Sequence, residues 1–139
     1  MKSRKTRRVQ IKGERINLRF PEMADAEEFI DQSRKSVLFH RNLVNPPLDI
    51  EAFEKHVDGC KADANRRFLI CLNENNNIAG AANISQIFHG GFRNAYLGYY
   101  LFKDFVGEGY MTEGLGLTVR YAFENLDLHR LEANIQPHN

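Results

Sequence analysis

The sequence predicts a mixed α/β fold, built on one sheet that is mostly antiparallel and ends in a parallel strand. Three strand-like segments follow one another between residues 67 and 102 with only short turns between them, which is typical of an antiparallel meander. A long amphipathic helix and one more strand-like segment come next, and a strand after such a crossover normally lies parallel to the strand before it. With 139 residues, 42% of them hydrophobic and 27% charged, the chain is sized for one domain with its own core.

The first half of the chain predicts one strand and two helices. Residues 15–20 alternate polar and apolar side chains, the period of a half-buried strand, and Pro21 ends the alternation. Residues 22–33 place apolar side chains at helical spacing. A turn-rich stretch follows, and Asp49 is positioned to cap the N-terminus of a second helix. The apolar stripe of that helix consists of Phe53, Val57, Cys60 and Ala64.

The second half predicts the meander, the crossover helix and the last strand. An asparagine-rich turn at residues 73–77 joins the first two strands, and residues 89–91 form the next turn. Gly80, inside a strand, predicts a bulge or a close approach of two backbones. The predicted bounds are 67–72, 78–87 and 95–102 for the meander, 110–126 for the helix and 129–136 for the last strand, which Pro137 ends.

Basic residues are concentrated at the N-terminus, although the net charge of the whole chain is only +1. We therefore expect residues 1–13 to form a basic, flexible arm and residues 14–139 to form the folded domain. Such an arm attracts RNA or the ribosome in some proteins, and in others it is only a solvated tail. The second interpretation is favoured because no aromatic residues are interleaved for base stacking.

Cysteine usage and hydropathy indicate a cytoplasmic protein without a membrane partner. Cys60 and Cys71 show no spacing typical of zinc ligands, so we expect two buried free thiols in a reducing compartment and no metal site. No apolar run approaches the ~18 residues of a membrane span, and the start of the chain lacks the apolar core of a secretory signal.

The most informative motif is a pair of glycines, Gly107 and Gly109, between the third meander strand and the long helix. The first N–H groups of a helix have no partner within it, and they bind anions, phosphates above all. The motif is not a Walker A loop, because no Gly-Lys-Ser/Thr follows, and it lacks the third glycine of the Rossmann fingerprint. It predicts a phosphorylated cofactor held by the N–H groups of residues 109–112; the alternative is an ordinary turn.

The combined pattern resembles the GNAT superfamily of acetyl-CoA-dependent N-acetyltransferases. The strand, the run Gly107-Glu108-Gly109-Tyr110-Met111-Thr112-Glu113, the helix and the segment 129–139 carry the resemblance. Residues 14–19 and the strand segment 96–99 are most similar to the branch that acetylates the N-termini of ribosomal proteins. The resemblance spans residues 14–139 and implies a GNAT-like three-layer fold.

The resemblance also implies which residues bind the cosubstrate, acetyl-CoA. The backbone of β-strand residues Tyr99, Tyr100 and Leu101 is expected to pair with the pantetheine arm. Val106 stands where the family has Gln or Arg, and Met111 where it has a small residue, but the loop binds mainly through backbone N–H groups. The expected cofactor-binding set is Tyr99, Tyr100, Leu101, Gly107, Glu108, Gly109, Tyr110, Met111, Thr112 and Asn139.

The catalytic residues are less clearly marked in the sequence. The implied reaction is direct attack of an amine, such as a protein N-terminus, on the thioester, which needs a base and a proton donor. Asn134 occupies the position of the glutamate base in related enzymes, so Glu132, on the same strand face, is the candidate base. His89, His129 and His138 are other candidate proton carriers.

Related sequences continue past the position matched by Asn139, which predicts that the C-terminal strands are missing here. The last strand would then be an open edge, which favours pairing with a second copy in a homodimer. We expect this form to bind acetyl-CoA weakly, and whether it is active alone stays open. Two other functions stay open: a non-catalytic acetyl-CoA-binding or assembly module, and an RNA- or ribosome-associated protein that uses the basic arm.

Overall fold

The computed structural model describes residues 9–41, 44–60, 64–88, 90–91 and 93–133. Within them, six strands form one sheet in the order β1-β2-β3-β4-β5-β6. No helix of this part of the chain is both long and apolar enough to cross a membrane. The strands are β1 (Ile11–Lys12), β2 (Ile16–Arg19), β3 (Arg66–Leu72), β4 (Ile78–Phe88), β5 (Asn94–Leu101) and β6 (Arg130–Ala133). The helices are α1 (Ala26–Lys35), α2 (Val37–His40), α3 (Ile50–Gly59) and α4 (Tyr110–Glu124).

The sheet has the predicted topology. Each strand from β1 to β5 pairs antiparallel with the next one, so β3, β4 and β5 form the meander. Strand β6 returns after α4 and pairs parallel with β5, from Asn94 opposite Arg130 to Leu97 opposite Ala133. The prediction of a mixed α/β fold with a crossover helix is therefore confirmed.

Helices cover both faces of the sheet, which gives three layers. Because side chains alternate between the faces of a strand, β3 contributes Phe68 and Ile70 to one core and Leu69 and Cys71 to the other. The first core includes residues of α4, and the second includes residues of α1 and α3. Residues of the second core are Ala26, Phe29, Ile30, Phe53, Leu69, Cys71, Ile78 and Phe102.

The sheet begins earlier than the sequence predicted. Ile11 pairs with Leu18 and Lys12 with Asn17, so β1 lies inside the segment 1–13 that was predicted to be a flexible arm. Its two residues are too few to show an alternating pattern. Residues 1–8 lie outside the described residues, and the flexibility of the arm and its contact with RNA stay predictions.

The region between β2 and α3 also differs from the prediction. A 3₁₀ turn, Met23–Asp25, precedes α1, and α1 continues two residues past the predicted end at Ser33. A buried ion pair holds this start against the sheet, because Arg19 donates to both carboxylate oxygens of Asp25 at 2.9 and 2.7 Å. The four-residue α2 was not predicted, since one helical turn is too short to show a period.

Two single-residue predictions in the scaffold are confirmed. Asp49 caps α3, and its carboxylate accepts a hydrogen bond from the N–H of Ala52 at 2.8 Å. Gly80 marks a close approach of two strands, because a Cβ there would lie 2.2 Å from the carbonyl oxygen of Tyr100. Opposite Gly80, the β3–β4 register shifts between Ile70 and Cys71, which is the predicted irregularity.

The remaining boundaries and the cysteines differ in detail. Helix α4 ends at Glu124 rather than at residue 126, and β6 is described only to Ala133, because residues 134–139 lie outside the described part. Both cysteines are free thiols, but only Cys71 is fully buried, and Cys60 is half-buried. Burial raises the pKa of Cys71 to about 11, so this thiol is unreactive at neutral pH.

Candidate active site

The glycine turn before α4 has the conformation of an anion-binding loop. Gly107 and Gly109 have φ angles of +84° and +82°, in the left-handed region that favours glycine. Gly109 is the N-cap of α4, and the first hydrogen bond within the helix runs from the N–H of Glu113 to its carbonyl, at 3.3 Å. The N–H groups of residues 110–112 therefore precede the helical ladder, and residues 107–109 are exposed.

Arg15 lies beside this helix N-terminus, a contact that the sequence did not reveal. Its guanidinium lies 4.9 Å from the centre of the Tyr110 ring, and its Nη2 would be 3.0 Å from a Cβ at Gly109. The side chain is 47% exposed, so its charge faces solvent next to the glycine turn. The structure thus places the positive charge of Arg15 beside the glycine turn, in which Val106 carries no charge.

Glu113 fixes this arrangement. Its Oε2 accepts the N–H groups of Arg15 and Ile16 at 2.8 and 3.2 Å, and its Oε1 lies 3.3 Å from the Nε of Arg15. Burial opposes ionisation, but these hydrogen bonds outweigh it and lower the pKa of Glu113. The carboxylate therefore joins the first turn of α4 to the start of β2 and is not available as a ligand for a cofactor.

An apolar groove leads away from the glycine turn. It is a cavity of about 250 Å³ between α2, the end of β5 and the start of α4. Val106 and Met111, the two departures from the family loop, both contribute apolar wall to it. The lining residues are Phe39, His40, Val44, Tyr99, Tyr100, Leu101, Val106 and Met111.

His40 contributes a buried imidazole to this groove. It is 4% exposed, and its Nε2 lies 2.6 Å from the carbonyl oxygen of Leu101. Because a carbonyl only accepts, Nε2 carries a proton and donates it to this oxygen. Nδ1 is buried and has no hydrogen-bond partner among the described residues. His40 belongs to the unpredicted α2, and no pattern in the sequence marked it.

A second cavity, also about 250 Å³, lies next to the groove and shares Val44, Tyr99 and Tyr100 with it. Its lining residue Asn83, on β4, is opposite Arg67 of β3, which is not itself part of the lining. Asn83 is in turn opposite Gly98 of β5. We call it the polar cavity; its lining residues are Val44, Asn45, Pro46, Pro47, His56, Asn83, Gly98, Tyr99 and Tyr100.

Three residues that line the polar cavity have buried side-chain atoms without a hydrogen-bond partner in the described part of the chain. The Nη1 of Arg67 lies 3.2 Å from the Nδ1 of His56, and since a guanidinium only donates, the proton of the neutral imidazole is on Nε2. Burial and the charge of Arg67 lower the pKa of His56 to about 4. The Nε2 of His56, the Oδ1 of Asn83 and the Oη of Tyr100 are buried and make no hydrogen bond among the described residues.

Among the predicted catalytic residues, Glu132 lies on β6, in the described part of the chain. Glu132 is opposite Tyr96 in the β5–β6 pairing and therefore lies on the sheet face of Gly98 and Tyr100, about 7 Å along the strand from the level of Gly98. Its Oε1 lies 3.9 Å from the Nη2 of Arg130. Its role as base stays a prediction.

The other candidates are on the surface or outside the description. His129 is exposed just before β6, whereas His89, Asn134, His138 and Asn139 lie outside the described residues. In the described part of the chain, no three His, Cys, Asp or Glu side chains are grouped to hold a metal ion.

Together, the fold and the site define a class of protein. A meander followed by a crossover helix, whose N-terminus opens beside an apolar groove, suits a ligand with an apolar arm and a phosphorylated end. That is the arrangement of an acyl-coenzyme A transferase of the type predicted from the sequence.

Comparison with known proteins gives the family. The sequence profile of the family described as "Acetyltransferase (GNAT) domain" matches residues 15–139. The chain therefore belongs to the GNAT family of acetyltransferases.

Individual relatives agree with this assignment. The chain is 33% identical over 137 residues to the probable N-acetyltransferase YjcK of Bacillus subtilis, covering 93% of this chain and 76% of that protein. It is 40% identical over 62 residues to the [ribosomal protein uS5]-alanine N-acetyltransferase of Escherichia coli, covering 45% of this chain and 32% of that protein. The structure of Mycobacterium smegmatis RimJ in complex with CoA-disulfide superimposes with a TM-score of 0.78 at 24% identity, over 89% of this chain and 64% of that one.

Proposed function

We propose that this chain binds acetyl-CoA and transfers its acetyl group to a primary amine. The observation that carries the proposal is the continuity of the apolar groove with the exposed glycine turn at the N-terminus of α4. Acetyl-CoA joins a pantetheine arm, which has methyl and methylene groups as well as amides, to a diphosphate, and it needs these two surfaces side by side. The groove reaches the turn through Val106 and Met111, which lie on either side of the two glycines.

Backbone groups would provide most of the cofactor contacts. Strand β5 uses one edge to pair with β4, where Gly80, Ala81 and Ala82 are opposite Leu101, Tyr100 and Tyr99. Its other edge pairs with β6 at residues 94–97, and at residues 99–101 this edge is proposed to pair with the pantetheine arm. The N–H groups from Gly109 to Thr112 are proposed to bind the diphosphate, with Gly107, Glu108, Tyr110 and Met111 shaping the loop and Asn139 as a further contact.

Arg15 is proposed to supply the positive charge that Val106 lacks. A guanidinium donates several hydrogen bonds to phosphate oxygens in a fixed planar geometry, which makes it a good substitute for a Gln or Arg of the loop. The side chain is already held by Glu113 and by the Tyr110 ring, so little conformational freedom is lost on binding.

When bound, acetyl-CoA supplies an acetyl thioester, whose C–S bond breaks as the amine nitrogen bonds to the carbonyl carbon. The chain must then accept a proton from the amine and return one to the thiolate. Glu132 is the proposed base. Burial raises the pKa of the Tyr100 phenol, although the charge of Arg67 opposes the shift, so the hydroxyl stays protonated. Tyr100 lines both cavities, and its hydroxyl is proposed as the proton donor.

The acceptor is proposed to be the N-terminus of a protein. One matched relative is named as an enzyme that acetylates an alanine of ribosomal protein uS5. A ribosomal protein N-terminus beginning with alanine or serine is therefore the first acceptor to test.

Isothermal titration of acetyl-CoA tests the proposal with a matched pair of variants. Gly109→Asp and Gly109→Asn place side chains of equal size at a left-handed position that both tolerate better than most residues. Only the aspartate sets a negative charge against the diphosphate, so we expect binding to Gly109→Asp to be lost and binding to Gly109→Asn to weaken less. Circular dichroism checks that both variants are folded.

Three results would contradict parts of this function. Absence of binding heat with the unmodified chain would contradict cofactor binding. Equal affinities of the two variants would contradict the assignment of the diphosphate to this turn. Binding of acetyl-CoA without acetyl transfer to any N-terminal peptide or free amine would support the alternative of a non-catalytic binding module.

A further inference from the structure

We propose that Arg67 selects acceptors that carry an acidic side chain close to the reacting amine. Its guanidinium would bind the carboxylate in a cavity that adjoins the polar cavity on the side of β3 and α3. The inference rests on the proposed function and adds a charge requirement to it, because every protein N-terminus has the amine but only some have a carboxylate nearby.

Arg67 is a partly buried cation without a carboxylate partner among the described residues. Its Nη1 donates to the Nδ1 of His56 at 3.2 Å, and it forms no ion pair in this part of the chain. By contrast, the buried Arg19 of β2 donates to both carboxylate oxygens of Asp25. A charge held away from water normally gains such a partner, so the guanidinium of Arg67 indicates a site for an anion.

Helix α3 holds the guanidinium in place. A Cβ at Gly59 would lie 2.9 Å from the Cζ of Arg67 and 3.1 Å from both Nη atoms, so the missing side chain makes room for the cation. The contact with His56, about one turn earlier on the same helix, fixes its other side. A cation that is already positioned loses little conformational freedom when a carboxylate binds.

Arg67 lines a cavity of about 580 Å³, which we call the outer cavity. A second cation, Lys55, also lines it. The carboxylate in the lining is that of Asp49, which accepts the N–H of Ala52 at the start of α3. The positive charges in the lining therefore outnumber the negative one, which favours an anionic ligand and opposes the second ammonium group of a polyamine.

The outer cavity adjoins the polar cavity. The two share the lining residues Asn45, Pro46, Pro47 and His56. Under the proposed function the amine reacts beside the wall between the groove and the polar cavity. A side chain of the same acceptor would then extend past the shared residues into the outer cavity.

The distance between Arg67 and the amine limits which side chain is selected. Arg67 is opposite Asn83, and Asn83 is opposite Gly98 in the lining of the polar cavity. Two strand spacings separate Arg67 from Gly98, which is about 10 Å between the backbones. An extended peptide advances about 3.4 Å per residue, so a glutamate at its second or third position can reach the guanidinium.

The experiment compares amidated peptides that differ by one charge. Ala-Glu-Phe and Ala-Gln-Phe differ at the second residue, and Ala-Phe-Glu and Ala-Phe-Gln differ at the third. We expect the unmodified protein to bind the glutamate peptide of at least one pair about tenfold more tightly, as for one hydrogen bond to a charged group. Calorimetry in the presence of CoA measures this preference, and the KM values for acetyl transfer should show the same ratio.

Arg67→Gln should remove the preference, because the cation is gone, and Arg67→Lys should keep part of it. Gly59→Ala, which displaces the guanidinium, should reduce the preference although the charge remains. Arg66→Gln is the matched control, since it removes a charge from the neighbouring residue, on the opposite face of β3, and should leave the preference unchanged. The Kd of acetyl-CoA should be the same in all four variants.

The inference is overturned if the unmodified protein does not distinguish glutamate from glutamine in either pair, if Arg67→Gln keeps the preference, or if Arg66→Gln loses it equally. It is also overturned if free glutarate binds as tightly as the acidic peptide, since the cavity would then be a site for a separate anion. Failure of the proposed function gives a different result, the absence of acetyl-CoA binding in the unmodified chain. Titration of the peptides without CoA still measures the preference in that case.

Discussion

The groove and the polar cavity share a wall but are built from different chemical groups. The groove is lined mostly by apolar side chains, and the polar groups proposed to bind the diphosphate beside it are backbone N–H groups of one short segment, residues 109–112. The lining of the polar cavity includes the polar side chains of His56, Asn83 and Tyr100, which belong to three different elements, α3, β4 and β5.

This difference explains why the two regions tolerate substitution differently. A backbone N–H is present whatever the side chain, so the loop keeps its donors although Val106 and Met111 depart from the family pattern. The polar cavity lacks such backbone donors. Each of its donors or acceptors belongs to one side chain, and a substitution removes it. We expect changes near the groove to act through charge or glycine geometry, and changes in the cavity to act atom by atom.

The largest expected effect concerns the catalytic base. The experiment tests whether the base lies in the groove or on the side of the polar cavity. Glu132 lies on the sheet face of the polar cavity, whereas His40 lies in the groove. If the acceptor amine is deprotonated from the cavity side, Glu132→Gln should lower kcat about 100-fold, the lower range for loss of a general base. Steady-state kinetics at neutral pH with saturating acetyl-CoA measures this.

His40→Gln is the matched variant. Glutamine can still donate to the carbonyl of Leu101, which preserves the contact that His40 makes there. It should leave kcat within a few-fold of the original value. A large loss in His40→Gln with a normal rate in Glu132→Gln would place the base in the groove instead.

The next effect concerns the stability of the polar cavity at low pH. The pKa of His56 is lowered to about 4 from its ordinary value of 6.5, so below pH 6.5 the unfolded chain takes up a proton that the folded chain does not. Stability therefore falls as the pH decreases from 6.5 towards 4. At pH 5 the loss amounts to about 2 kcal/mol relative to pH 7.

Urea denaturation at pH 7 and pH 5, for the unmodified chain and His56→Gln, isolates this contribution. Glutamine does not titrate, so the variant should lose about 2 kcal/mol less between the two pH values. All other groups titrate alike in both proteins and cancel in the difference. An identical pH dependence would mean that His56 is not held neutral beside Arg67.

The same difference between the groove and the polar cavity explains which features could be predicted from the sequence. The glycine turn, the meander, the parallel last strand and the close approach at Gly80 were all predicted, because each depends on residues adjacent in the chain. The proposed phosphate-binding loop is this same glycine turn, which is one continuous segment. A periodic pattern needs several residues to appear, which is why β1 and α2, with two and four residues, were missed.

The polar cavity was not predictable in this way. His56 was only one residue of an amphipathic helix, and Asn83 looked like a polar position in a strand. They line one cavity only because the fold packs α3 against the sheet and the register sets Asn83 opposite Gly98, and register is a property of long-range pairing. Arg15 was missed for the same reason, since 94 residues separate it from Gly109.

The smallest expected effect is that of removing the Arg15 side chain. This variant tests whether a side chain adds to the diphosphate binding proposed for the backbone N–H groups. Arg15→Ala should weaken acetyl-CoA binding about fivefold, or about 1 kcal/mol, as expected for an exposed cation that interacts with an anion. Glu113 would keep its hydrogen bonds from the N–H groups of residues 15 and 16, so the turn itself should remain in place.

The comparison ligand is acetylpantetheine, which has the apolar arm and the thioester but no diphosphate. Its affinity should be the same for the unmodified chain and Arg15→Ala, because the proposed contact is absent. Lys12→Ala, which removes a nearby charge of β1, controls for the general loss of positive charge. If Arg15→Ala weakened both ligands equally, the guanidinium would be acting on the fold of the turn, and the diphosphate would be held by the backbone of α4 alone.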